Sequence, residues 1–456
     1  MPRRAEVAVT LAAAACALAA TTIGRRADAK VTWQGTGLAT AGWTDNILNA
    51  PDQTTVGAAP RESDVFFQLA PGALMTQAAP RILERLGYVF TADLFARHSE
   101  ANSYTNALTW FADVATSPTT RLTLSLDTTQ GRLSTFALNQ SSADATVGVL
   151  TQNNSTNYFK QGATQGLVAT PLSEWRFAES LAFGAFIPID RGRMPDGYTL
   201  TAELGADRTF RTNAFGLVLR ESFIDFVQPR DPLTDVPLDF DSQQLLTTAL
   251  ARWRRDWSAS WNTVAELGVI SVVAFSANPA IGTTTAWQPS ALASLRWARL
   301  VGSVELHYAH TATPNVLVGT TVAVDEVALQ GIVPYPKFNM VFSATAGYQH
   351  AHILPLVPTI PESSADLAVA DVTVAWQPIP ELRVFARYSL FDQFGNVPTA
   401  MTPLPLLPDL TRSVLMIGAT VLYPVVATVR APTGAGSRVD ETDQPEFPEP
   451  HAAEPQ

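Results

Sequence analysis

From Val31 to Pro424 the chain alternates apolar and polar residues one by one, in runs too long and too numerous for chance. In the run 285–298, Trp287, Ala291, Ala293, Leu295 and Trp297 share one parity, and Gln288, Ser290, Ser294 and Arg296 share the other. A period of two is that of a β-strand with one apolar face, since successive side chains point to opposite sides of the sheet. The runs 121–129, 197–208, 368–377 and 382–390 repeat the pattern. About eighteen such segments can be marked, near 31–44, 63–76, 86–98, 105–116, 120–130, 156–170, 174–187, 197–208, 213–227, 240–253, 258–275, 285–298, 302–313, 318–332, 337–352, 362–377, 382–394 and 411–424. Merging one pair would give sixteen. Short connectors such as "SPTTR" at 117–121, "RRDWS" at 254–258 and "QPIPELR" at 377–383 take turns with long polar ones such as 45–62, 131–155, 228–239 and 395–410. That rhythm predicts an antiparallel up-and-down sheet with tight turns at one rim and long loops at the other.

Two environments favour alternation of this kind: the core of a secreted β-sandwich or solenoid, and a bilayer around a closed barrel. Strands of soluble proteins average about five or six residues, shorter than these runs, and no repeat of fixed period is present. Trp287 and Trp297 lie ten residues apart on one face. That is about 33 Å of strand, or roughly 25 Å along the membrane normal at a tilt of about 40°, the height of an outer-membrane apolar band. Only 16% of residues are charged while 46% are hydrophobic, a poor supply of charge for a soluble surface. The pattern therefore predicts an all-β transmembrane barrel of about eighteen strands. Glu179, on the parity of Phe177, Leu181 and Phe183, and Asp325 beside Glu326 break the alternation, and a bulge or a shifted register is expected there.

Parity divides the side chains between lipid and lumen. Tyr198, Trp287, Trp297, Tyr308, Tyr348, Trp376, Tyr388 and Tyr423 fall on the outward face as girdle aromatics. Asp93, Arg97, Asp127, Glu203, Asp207, Glu266, Arg296, Glu305, His307, Asp371, Arg383 and Arg387 fall on the inward face. Eighteen strands enclose an interior too wide for side chains alone to fill, and the segment 131–155 is the natural candidate to fold into it.

The ends read differently. Residues 1–29 have a basic start (Arg3, Arg4), an alanine-rich apolar stretch and Ala27-Asp28-Ala29 as a small-x-small site, the marks of a cleaved secretory leader. The single cysteine, Cys16, lies inside it, so a disulfide framework is not expected in the mature chain. Residues 425–456 are rich in Pro, Glu and Asp and read as a disordered acidic periplasmic tail after the barrel of 30–424. A formal net charge of −11 argues against nucleic acid as a partner.

Chemistry is sparse. His310, His350 and His352 share the outward parity just beyond tyrosines, and His307, with Glu305, faces inward as an acid–base pair requires. No G-x-S-x-G, H-E-x-x-H or converging metal-ligand set completes a site, and no cofactor motif is present, so no enzyme is expected.

The opening "VTWQGTGLATAGWTDNILNAP", the region "DVFFQLAPGALMTQAAPRILERLGYVFTADLFARHSEANSYTNAL" and the closing "TRSVLMIGATVLYP" resemble the outer-membrane β-barrel proteins of myxobacteria and their relatives, in the broad β-barrel porin group. The resemblance implies an outer-membrane location with both termini periplasmic, contact with outer-membrane lipid, and insertion by the barrel assembly machinery. For some members it implies exopolysaccharide export with a periplasmic polysaccharide-export partner. A general or solute-selective porin and a plugged structural or adhesive barrel are the alternatives.

Overall fold

The structure is a computed structural model, and it describes residues 30–47, 50, 60–133, 156–189, 196–227, 242–276, 282–315, 320–354, 364–396 and 409–425. Residues 1–29, expected from sequence to be a leader and carrying Cys16, most of the segment 131–155, and the residues beyond 425 lie outside these. Eighteen strands run β1 (Lys30–Thr44), β2 (Asp64–Ala79), β3 (Ile82–Phe95), β4 (Ser103–Ser117), β5 (Thr120–Leu133), β6 (Thr156–Leu172), β7 (Trp175–Pro188), β8 (Asp196–Phe210), β9 (Asn213–Val227), β10 (Ser242–Ser258), β11 (Trp261–Ser276), β12 (Thr283–Arg299), β13 (Gly302–Asn315), β14 (Thr320–Tyr335), β15 (Met340–Ile353), β16 (Ser364–Ile379), β17 (Leu382–Asn396) and β18 (Leu410–Val425). Each pairs antiparallel with its neighbours in sequence, and β1 closes on β18 from Trp33↔Val425 to Thr44↔Val414. Closure matters because a sheet edge left open in hydrocarbon would strand its N–H and C=O groups. Eighteen strands at the usual spacing and a tilt near 40° enclose a wall about 35 Å across. Among the described residues no helix is long and apolar enough to cross a membrane.

Outward residues are large, apolar and bare of protein: Leu204, Leu217, Leu267, Trp287 and Ile417 are 57%, 69%, 64%, 68% and 60% exposed. In water such a surface would be untenable for a monomer; against lipid it is the stabilising face of a transmembrane barrel. All eight predicted girdle aromatics take the outward parity, joined by Trp33, Trp43, Tyr88, Tyr104 and Trp261. The turn rim carries stacked or edge-on rings, Trp175 with Phe177, Trp253 with Trp257 and Trp261 with Trp297, and Arg208 and Arg255 lie over Trp175 and Trp257. Rings with a polar edge and aromatic-bound arginines suit a boundary that is apolar on one side and wet on the other.

The structure corrects several expectations. β3 ends at Phe95, not near 98, because the backbone N–H groups of Arg97 and His98 turn to Asp64. Arg97 therefore lies on the rim beyond the wall. β10 continues through "RRDWS" to Ser258, and the turn is Ala259–Ser260, since Arg254 and Arg255 pair with Val264 and Thr263. Neither Glu179 nor Asp325 marks a bulge. Glu179 pairs in register with Leu167 and Leu204 and stands on the lipid face, while Asp325 points out and Glu326 in. Asp325 is supported there by His310 and Tyr308, at 2.6 and 3.3 Å.

At the rim opposite the turns, the connectors are lashed to the strands. Asp45 accepts from Arg61 at 2.6 Å and from the Ser413 N–H at 2.7 Å. His98 lies between two carboxylates, Nδ1 to Asp64 at 2.9 Å and Nε2 to Glu62 at 2.6 Å. Burial opposes the charged ring, but the bonds to Asp64 and Glu62 outweigh it and raise the His98 pKa.

Two outcomes follow from this architecture. Leu204→Arg should cost about 2–4 kcal/mol in reversible unfolding from lipid vesicles, whereas Thr201→Arg, on the inward face of the same strand, should stay within about 1 kcal/mol; equal costs would remove the lipid assignment of this face. The clasp of His98 contributes fully below the unfolded pKa of about 6.5 and is lost as pH rises through the raised folded value. The melting temperature of the wild type should accordingly fall relative to His98→Gln between about pH 6 and pH 9, and parallel pH profiles would deny the clasp a role.

Candidate functional site

Side chains paired across neighbouring strands share a face, so the register itself builds the lumen wall. One row crosses five strands: Arg176 pairs with Asp207, Asp207 with Gly216, Gly216 with Arg252, and Arg252 with Glu266. Gly216 is what allows the row to communicate, because a Cβ there would collide with Asp207 Oδ1. Over the gap Asp207 Oδ2 lies 3.5 Å from Arg176, 3.4 Å from Arg254 and 3.7 Å from Arg252. Arg252 Nε donates to Glu266 at 2.5 Å, and one step along the wall Arg220 forms a two-nitrogen contact with Glu203 at 2.8 and 2.6 Å. Four arginines thus stand with Glu203, Asp207 and Glu266 across β7–β11, and Asp256 follows Arg254 on the same inward parity of β10. Asp207 is only 3% exposed and its Oδ1 has no hydrogen-bond partner.

On β16 and β17, nine strands away around the ring, Asp371 gathers Arg387 Nε at 2.5 Å, Ser389 Oγ at 2.6 Å and Thr373 Oγ1 at 3.3 Å. Arg296 and Glu305 are cross-strand neighbours on the same inward face. Asp127 stands over Gly162, and Arg383 faces inward alone on its strand row. Asp93 is buried, held by Gln68 and Ser103 at 2.8 Å each, and serves the packing of the rim. His307 and Glu305 share β13's inward face as a spaced pair, with no hydrogen bond between them. Among the described residues no three His, Cys, Asp or Glu side chains converge as metal ligands.

Arg176, Arg220, Arg252 and Arg254 were not singled out from sequence. Their signal was present: Arg252 and Arg254 alternate with Trp253, and Arg220 alternates with Leu219. The tight-turn reading of "RRDWS" at 254–258 hid Arg254.

The mouth at the long-connector end is not a simple ring. β12 pairs with β13 only from Ala291↔His310 down to Arg299↔Gly302, so Thr283–Ser290 pair with β11 alone and Thr311–Asn315 with β14 alone. Gln244 of β10 donates to Thr320 Oγ1 at 3.3 Å and accepts from Thr321, on β14. Four strand spacings, about 19 Å of flat wall, would otherwise separate these strands. The upper corner of β13 and β14 is therefore tucked inside the barrel. Ala312 and Ala323, on the parity that faces lipid lower down, pack here against the inward Ile224, Phe226, Leu246, Ile270, Val272 and Ala274. Phe66, Phe95, Val414 and Met416, and separately Leu367, Phe391 and Leu410, cover the inner wall elsewhere at this end. The lumen thus runs from an apolar, narrowed mouth to a charged wall nearer the turn rim.

No protein-family model matches the chain, and no curated protein matches it. Among solved structures it is similar to OccK2 (OpdF) of Pseudomonas aeruginosa, in complex with glucuronate, at 11% identity and a TM-score of 0.42, over 88% of this chain and 99% of that one. It is similar to OccAB3 of Acinetobacter baumannii at 13% identity and a TM-score of 0.41, over 87% and 100%. It is also similar to the FrpB iron transporter of Neisseria meningitidis at 7% identity and a TM-score of 0.44, over 86% and 81%.

Proposed function

We propose that this protein is a passive outer-membrane channel for small polar solutes, with a preference for anions. The observation that carries the reading is the β7–β11 wall, where Arg176, Arg252 and Arg254 converge on the buried carboxylate of Asp207, while Asp256, the fourth carboxylate of the sector, stands further toward the turn on β10. A pore of this width selects weakly, by the sign of the field along its charged wall and not by fitting one ligand. Outer-membrane lipid covers its apolar belt, and the barrel assembly machinery inserts it. Exopolysaccharide export with a periplasmic partner finds less support: the inward rings Phe66, Phe95, Phe226 and Phe391 are buried in apolar clusters, and Phe111 of β4 and Phe385 of β17 lie on separate sectors of the wall and form no continuous track on which sugars could stack.

Purified barrel in planar bilayers should conduct potassium chloride unaided, with a reversal potential on the anion side under a salt gradient. Asp207→Asn should strengthen that preference, and Arg252→Gln with Arg254→Gln should weaken or reverse it. A folded, inserted barrel without conductance would overturn the channel reading, and an unmoved reversal potential would overturn the role of the wall.

A further inference from the structure

The parting of β12 and β13 costs backbone pairing where a barrel can least spare it. On β12 the partnership ends at Ala291, four residues below Trp287, or about 10 Å along the normal beneath that ring at a tilt near 40°. The stretch without a β13 partner therefore reaches into the apolar band, where backbone pairing matters most. In place of a ladder the two layers overlap. Their facing surfaces are apolar, Leu246, Val272 and Ala274 outside against Ala312, Ala323 and Leu354 inside. Polar contact across the overlap includes Gln244 with Thr320 and Thr321. Layers joined this way can slide or part without breaking a strand ladder.

The foot of the seam has a different chemistry. His310 is the last residue of β13 paired with β12, and the Ser290 hydroxyl donates to its carbonyl at 3.4 Å. From His310 a lateral row continues on the outward face through Asp325, His350 and Asp366, with cross-strand pairing throughout. His310 Nδ1 contacts Asp325 at 2.6 Å, and His350 Nδ1 contacts Asp366 at 2.7 Å. His310 Nε2 is buried and has no hydrogen-bond partner. With Nδ1–H donating to Asp325, the neutral ring presents Nε2 as an acceptor, so the group it lacks is a hydroxyl or amine donor.

We propose that this seam is a lateral port for single-tailed amphiphiles with a hydroxyl- or amine-bearing headgroup. The tail enters between the overlapping layers, the headgroup meets His310 and the row beside it, and the molecule passes between the lumen and the leaflet on the long-connector side. The port uses the lumen of the proposed channel, but its own contacts are independent of ion conduction.

The test uses an alkyl glucoside carrying a photoactivatable diazirine in its chain, offered to the full barrel in lipid nanodiscs, with labelled residues mapped by mass spectrometry. The wild type should be labelled on Leu246, Val272 or Ala323. Gln244→Cys with Thr320→Cys, oxidised, should lose that labelling and regain it on reduction, while conductance in bilayers stays as in the wild type. Gln244→Ala with Thr321→Ala should label more strongly, which keeps the test decisive if the cysteine pair fails to fold. Labelling confined to the outward belt, or unchanged by the disulfide and by the alanine pair, would overturn the port. Conductance without seam labelling would leave the channel and remove the port; seam labelling without conductance would do the reverse.

Discussion

Everything in this molecule answers to one constraint: in a bilayer the backbone has no water to bond, so each strand must be paired on both sides. Closure of β1 on β18 meets that demand for a chain whose first and last strands lie almost four hundred residues apart. Closure then fixes the rest. A closed wall has an inside and an outside, each strand must serve both, and the period of two becomes a partition of side chains between lipid and lumen.

The partition is economical on the lipid side and demanding on the inner one. Outside, nearly any large apolar residue suffices, and even Glu179 stands there in register between Leu167 and Leu204. Inside, charges must find partners across strands. The row from Arg176 to Glu266 does so because a glycine at the middle position leaves Asp207 free to reach two strands further. Asp207 is thereby shared by three arginines, which concentrates positive charge at this step of the wall.

The one place where the constraint is relaxed, between β12 and β13, is also where inner and outer faces change roles. Ala312 and Ala323 keep the outward parity of their strands yet pack against the inner wall of β9–β11, because the corner carrying them has moved inside. Apolar contact substitutes for backbone pairing there. It is a weaker and less directional bond, and it narrows the mouth while leaving the waist below it wide.

By itself the sequence determined the class of the fold and the side of the wall on which most residues stand, and brought the strand count to eighteen or sixteen, since alternation is a local property that backbone geometry converts directly into faces. Glu203, Asp207, Glu266, Asp371 and Arg387 could be assigned to one parity without any knowledge of their neighbours. The boundaries were less legible: Arg97 and the "RRDWS" segment were misplaced because capping by Asp64 and pairing with β11 decide where a strand stops, and both partners are distant in sequence. Only the tertiary structure decided which charges meet, that Gly216 opens the way between them, and that β13 departs from β12. These depend on register between strands and on the path of the closed wall, and alternation along one strand carries no information about either.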